Sequence, residues 1–235
     1  MSASFSDHGA EGAINPFDPA RDRSARLSRR AYNLIMGGLV TLGFAVVGAS
    51  GLIATTPGFL MAVYDNYLAV MLGSVVASFV GIGVLSAGMK REGFGMALAG
   101  YALVVCSMGF TTGLILPFYD LPTIANAFVG TMLIAALFTL LGSTFPAFFA
   151  RIQSTILFAM LALLVVSTVT ALMGMDMGWL DYAVILVFCG FIGWDTYRAQ
   201  QCEPTVKMAI FNAVQIWLDL VNVFIRILSI LGERD

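Results

Sequence analysis

The side chains able to do chemistry gather toward the C-terminal end of the chain. Asn212, Gln215, Asp219, Asn222, Arg226, Ser229 and Glu233 recur at spacings of 3, 4, 3, 4, 3 and 4, which is the repeat of one helical face. The residues between them, from Ile216 and Trp217 to Ile227 and Leu228, are strongly apolar. A narrow polar stripe on such a helix predicts burial among other helices with the stripe on an interior space. The competing reading, a helix lying flat on a membrane, calls for a broad basic face and lower hydropathy. A second carboxylate, Asp195, sits in Gly193-Trp194-Asp195-Thr196-Tyr197, 24 residues before Asp219. A hairpin folded near Lys207 brings the two level, and one folded near Glu203 offsets them by an amount that a loop can absorb. The plain alternative for Asp195 is a helix-end aspartate wetted by the loop, three residues before Arg198. Two carboxylates meeting in a low-dielectric interior cannot both ionise cheaply, so they share a proton. The chemistry expected is a pH sensor and gate built from Asp195 and Asp219.

An enzyme is not expected. Intramembrane aspartyl proteases carry Tyr-Asp on one helix and Gly-x-Gly-Asp on the next, whereas this chain has Gly193-Trp194-Asp195 and Trp217-Leu218-Asp219. Gly-x-Ser-x-Gly, His-Glu-x-x-His and P-loop patterns are missing, and the single histidine, His8, lies in a polar N-terminal segment. Cys106, Cys189 and Cys202 are too widely spaced for a zinc knuckle, and an odd number argues against a disulfide framework. No resident cofactor is expected.

The elements that must hold these residues are membrane helices. Of 235 residues, 59% are apolar and 11% charged, and the mean hydropathy is +0.90, which excludes a soluble domain. A net charge of -2 without a basic tract excludes nucleic-acid binding. Residues 1 to 30 are polar, with five arginines and four acids, and read as a disordered tail rather than a cleaved signal. Residues 31 to 232 then divide into seven spans: Ala31 to Ile53, Asn66 to Ala87, Gly95 to Leu116, Thr123 to Leu141, Ser154 to Met173, Trp179 to Tyr197 and Met208 to Leu231. Lys and Arg fall in the tail and in alternate loops, at Lys90-Arg91, Arg151 and Arg198 to Lys207, so the N-terminus is expected in the cytoplasm. Gly37-Gly38, Gly81-x-Gly83 and Gly109-x-x-x-Gly113 predict close helix packing.

Several stretches in order resemble the Bax inhibitor-1 family, over most of residues 29 to 232. Arg30-Ala31-Tyr32-Asn33-Leu34 resembles its first-helix opening, Phe110-Thr111-Thr112-Gly113 through Pro117 and Tyr119 its third-helix ending, and Ile124-Ala125-Asn126-Ala127-Phe128 through Thr131 its fourth helix. The most specific are Gly193-Trp194-Asp195-Thr196 and Leu218-Asp219-Leu220-Val221-Asn222-Val223-Phe224-Ile225-Arg226. The resemblance implies an all-α bundle of seven transmembrane helices, six around a central, polar-striped C-terminal helix, acting as a pH-sensitive calcium leak. The family's two aspartates match Asp195 and Asp219. Its latching arginine, at the end of the second helix, falls near Met89-Lys90-Arg91-Glu92, so Lys90 or Arg91 is the candidate latch. A lysine there would give up bidentate pairing.

Calcium is thus the expected permeant ion, the proton the regulator, and Asp219 and Asn222 the oxygen donors that calcium meets in passing. The alternatives are a regulatory adaptor that binds a membrane protease or a death or stress regulator, with the tail as its handle, and a calcium/proton exchanger. The bilayer is the expected surrounding, and a bacterial inner membrane the expected location.

Overall fold

The structure is a computed structural model that describes residues 26–56, 58–90, 94–175 and 178–232. Seven helices are long and apolar enough to cross a bilayer, as a chain must when hydrocarbon cannot satisfy its backbone N–H and C=O groups. They are α1 (Arg29–Ala54), α2 (Tyr67–Met89), α3 (Gly95–Gly113), α4 (Leu121–Thr144), α5 (Pro146–Leu172), α6 (Trp179–Gln201) and α7 (Val206–Gly232). A short helix, Phe59–Asp65, precedes α2, and a single 3₁₀ turn, Leu116–Phe118, follows α3. The protein is an all-α, multi-pass membrane bundle. Large apolar side chains such as Leu34, Phe79 and Leu186 are at least 70% exposed on its outer faces, where lipid replaces water.

Local chemistry sets the helix ends. The Ser28 side chain accepts from the Ala31 N–H at 3.2 Å to open α1, and Asp120 accepts from the Thr123 N–H at 3.1 Å to open α4. Helix α5 starts well before the expected Ser154, because Pro146 fits the first helical position, where no N–H is needed. Its first turns carry the exposed Arg151.

The expected tail boundary also shifts. Arg29 and Arg30 already belong to α1, while Arg26 to Ser28 lie along the α6–α7 turn. The Leu27 N–H donates to the Pro204 carbonyl at 2.7 Å, Arg26 pairs with Glu203 at 2.5 Å, and Arg29 donates to the Cys202 carbonyl at 2.8 Å. Residues 1 to 25, where the rest of the expected disordered tail falls, are outside the described residues.

Helix α7 packs against α6, α1, α4 and α3, and briefly against α2, whereas α5 is held chiefly by α6. Its residues enter both apolar clusters: Ile210, Val214, Trp217, Val221 and Phe224 in one, Ile216, Leu220 and Val223 in the other. A helix lying flat on the membrane could not be buried on both sides, so that reading fails. Helix α7 is unbroken over 27 residues, about 40 Å at a rise of ~1.5 Å per residue. Gly232 at its far end lies against the Tyr119 ring. It therefore crosses fully rather than re-entering.

Two close approaches fix α6 and α7. A Cβ on Gly43 of α1 would come within 2.6 Å of the Trp217 ring, so glycine there lets Trp217 bury completely. Gly193 of α6 is wedged between the Phe149 ring of α5 and the backbone at Gly142 of α4. This crossing holds the turn of α6 that carries Asp195. Gly193→Ala is expected to cost about 1 to 3 kcal/mol through overpacking. Gly83→Ala, where a new Cβ meets nothing within 4 Å, should be neutral or slightly stabilising. Thermal unfolding in detergent, followed by tryptophan fluorescence, checks the contrast.

Candidate functional site

The α6–α7 turn lies at 202–205 rather than at Lys207, so Asp195 and Asp219 are offset along the hairpin by residue count. Their side chains nevertheless lie within range of each other's charge, on the wall of one cavity. Two carboxyls buried close together favour holding one proton between them over ionising both. Asp195 is 4% exposed and Asp219 7%, so neither is wetted by the loop, and the helix-end reading of Asp195 does not hold. Asp219 Oδ2 has no protein hydrogen-bond partner.

The cation set against Asp195 comes from its own helix. Arg198 Nη2 lies 3.3 Å from Asp195 Oδ1, an ionic contact without hydrogen-bond alignment. The guanidinium is positioned by the Trp194 ring at 4.8 Å and the Phe211 ring at 5.4 Å, and Nη2 reaches Asn212 Oδ1 at 3.5 Å. Flat guanidinium on flat rings is a favourable arrangement, and it keeps the charge from wandering to solvent. Of the expected latch residues, Lys90 caps α2 and is exposed, and Arg91 is outside the described residues.

Both aspartates line a cavity of about 480 Å³. Gln215 and Asn222 of the stripe join them there, beside Ser78, Trp194 and a set of apolar residues from α2, α3, α5 and α6. Ser78 already bonds Ser107 and the Ser74 carbonyl, and the Asn222 amide nitrogen donates to the Leu218 carbonyl at 2.8 Å. Asn222 is left with its amide oxygen and one N–H to offer the cavity. Asp219 and Asn222, the expected calcium donors, thus face one space.

Asn212 and Arg226 of the stripe serve elsewhere, and Glu233 is outside the described residues. Asn212 is fully buried and donates to the Tyr32 hydroxyl at 2.7 Å, with Cys202 Sγ 3.4 Å away. Tyr32 and Cys202 are themselves 3.2 Å apart, so this cluster joins α1 to the α6–α7 hairpin. Arg226 donates to Asp181 at 2.8 Å, tying the far end of α7 to the first turn of α6. What reads as one continuous stripe is three sites: a cluster at the turn, a cavity wall and an ion pair.

Sequence reasoning missed Asp181 and Tyr32. Asp181 stands three positions into its helix, where an aspartate passes for a first-turn residue. Tyr32 meets Asn212 across 180 residues, a separation no local pattern reports. Arg198 had a local signal, its spacing of three from Asp195, which places the two on one helical face.

The Asp181–Arg226 pair is open to a double-mutant cycle. Asp181→Asn and Arg226→Gln should each lower the unfolding midpoint, because each leaves a partly buried charge without its partner. The double variant should recover part of the loss, with a coupling of about 0.5 to 3 kcal/mol. Additive losses in the same detergent unfolding assay would deny the pair a structural role.

A family model for "Inhibitor of apoptosis-promoting Bax1" matches residues 24–235. The inner membrane protein YbhL of Escherichia coli (strain K12) is 22% identical over 220 residues, covering 89% of this chain and 94% of that protein. An uncharacterized protein of Deinococcus radiodurans is 24% identical over 223 residues, covering 91% and 93%. An uncharacterized membrane protein of Streptococcus pyogenes serotype M3 is 23% identical over 186 residues, covering 75% and 80%. With its whole described length inside the family match, the aspartate-bearing hairpin included, this chain belongs to the Bax inhibitor family.

Proposed function

We propose that this protein is a pH-sensitive calcium leak of a bacterial inner membrane, gated by Asp195 and Asp219, and not an enzyme. The observation that carries the reading is the closeness of two buried carboxyls on the wall of one cavity. With one proton between them and Arg198 at 3.3 Å, the group is electrically balanced. Losing the proton sets two anions together, and adding a second leaves the arginine without its counter-charge. Either change acts on the α6–α7 hairpin, a coupling of local charge to helix position.

Calcium enters through the family resemblance and through the donor set. Two carboxylates and the amide oxygens of Gln215 and Asn222 are fewer than the six to eight oxygens that calcium takes when held tightly. Passing contact suits them better than storage. Arg29, Arg30, Lys90, Arg151, Arg198 and Lys207 lie toward one end of the bundle, and only Arg226 among described basic residues toward the other. That supports a cytoplasmic N-terminus.

The adaptor reading gains one observation, the docking of Arg26 to Ser28 on the 202–205 turn, which places the root of the tail beside the hairpin. A truncation that separates the readings should stop at residue 25, because a longer one also removes this clip. A leak retains its flux after that truncation, whereas an adaptor loses its partner.

Proteoliposomes loaded with a calcium dye test the leak itself. The wild type should admit calcium at a rate that changes across about pH 6 to 8, the range in which a perturbed carboxyl can titrate. Asp195→Asn and Asp219→Asn should each flatten that dependence. Unaltered rate and profile in both variants would remove the pair from the mechanism, and counter-flow of protons with calcium would mark an exchanger.

A further inference from the structure

Beyond the oxygens that calcium would meet, the cavity has long apolar walls. Helices α2 and α5 flank it without packing against each other to any extent, and α2 meets α7 only briefly. The gap between them leaves α7 as the floor of a cleft. Phe79, Val75 and Ile82 of α2 line this cleft and are 70%, 48% and 41% exposed. They lie in the middle of a membrane-spanning helix, so this side of the cleft opens at the depth of the lipid chains.

Inside the mouth the walls are flexible and apolar: Met108 from α3, Met160 from α5, Phe188 and Phe191 from α6. Methionine and phenylalanine together take irregular apolar bodies of many shapes. At the inner end stand Asp195 and Asp219, each more than nine-tenths buried, with Asp219 Oδ2 unpartnered. Arg198 supplies one positive charge to two carboxyls. A second positive charge completes the balance if the shared proton leaves.

We propose that this cleft is a binding site for membrane-partitioned amphiphilic amines, with the ammonium between Asp195 and Asp219 and the apolar body lying toward Phe79. Charge complementarity selects the class. An anionic amphiphile would meet two carboxyls, and a neutral one would leave Asp219 Oδ2 unpaired in a dry site, a cost that grows with burial. A volume of about 480 Å³ lies within the usual range for small-molecule sites. The ammonium takes the place of the shared proton, which is released, so an amine would act on the same switch that pH acts on. This last step rests on the gating role proposed above, while the binding itself rests only on the cleft and its charges.

The test uses the full chain in phosphatidylcholine nanodiscs without calcium. The probe is a tertiary amine whose phenylalkyl body carries a photoreactive diazirine, and the matching alcohol is its uncharged control. After irradiation, peptide mapping should find the amine on segments of α2, α5 and α6 that line the cleft. Excess unlabelled amine should cut that labelling by about tenfold, and excess alcohol should not. Asp195→Asn and Asp219→Asn should each weaken labelling by a similar factor. The competition in wild-type protein holds even if a variant folds poorly. Equal labelling and competition by amine and alcohol would overturn the proposal and leave a groove for lipid chains only, as would labelling that does not saturate. Because no flux is read, a chain that fails to leak calcium can still bind the amine, and a chain that leaks without saturable labelling loses only this inference.

Discussion

The constraint on which the proposed function depends is that two carboxyls are held close together and buried. In a low-dielectric interior, a pair of like charges at close range is prohibitive, and a single proton between them removes the conflict. Asp195 and Asp219 lie close together under those conditions, and the surrounding packing reads as the means of holding them there.

The supporting structure is built from close approach rather than from polar bonds. Gly193 brings α6 against Phe149 and against the backbone of α4, one turn or less from Asp195. Gly43 lets α1 close over Trp217, two residues from Asp219. With no hydrophobic drive between helices in lipid, such contacts carry the association. Polar groups appear at the two ends of the hairpin instead. The Tyr32–Asn212–Cys202 cluster and the Arg26 to Arg29 clip secure the turn, and the Asp181–Arg226 pair secures the opposite end. The aspartates lie between these ends, and Arg198, which reaches both Asp195 and Asn212, links Asp195 to the cluster at the turn.

Membrane spans are easy to read because each is a long apolar run whose ends carry charges, prolines or glycines, and all seven were legible. The stripe on α7 was legible for the same reason: a repeat of 3 and 4 survives in the sequence. Its division into three sites was not, because the partners of Asn212 and Arg226 come from Tyr32 and Asp181, remote in the chain and unremarkable locally. The start of α5 was misplaced by reading Arg151 as a loop residue, although a charge can ride on the exposed end of a helix. The cation beside Asp195 is Arg198, within one turn of the same helix, a spacing of three that the sequence displays. The side opening of the cavity had no signature at all, since Phe79 and Ile82 differ from other lipid-facing residues only in what lies behind them.

The central claim is that the two aspartates hold one proton jointly within the membrane. Infrared spectroscopy of the reconstituted protein at neutral pH, with isotope-labelled aspartate to isolate the carboxyl C=O stretch, reads it directly. The account predicts a protonated-carboxyl band in the wild type that is lost in Asp219→Asn, where Asp195 is left beside Arg198, and that shifts in frequency in Asp195→Asn, where the buried Asp219 loses its partner. A wild-type spectrum in which every aspartate is ionised, or a band that persists unchanged in both variants, would contradict it.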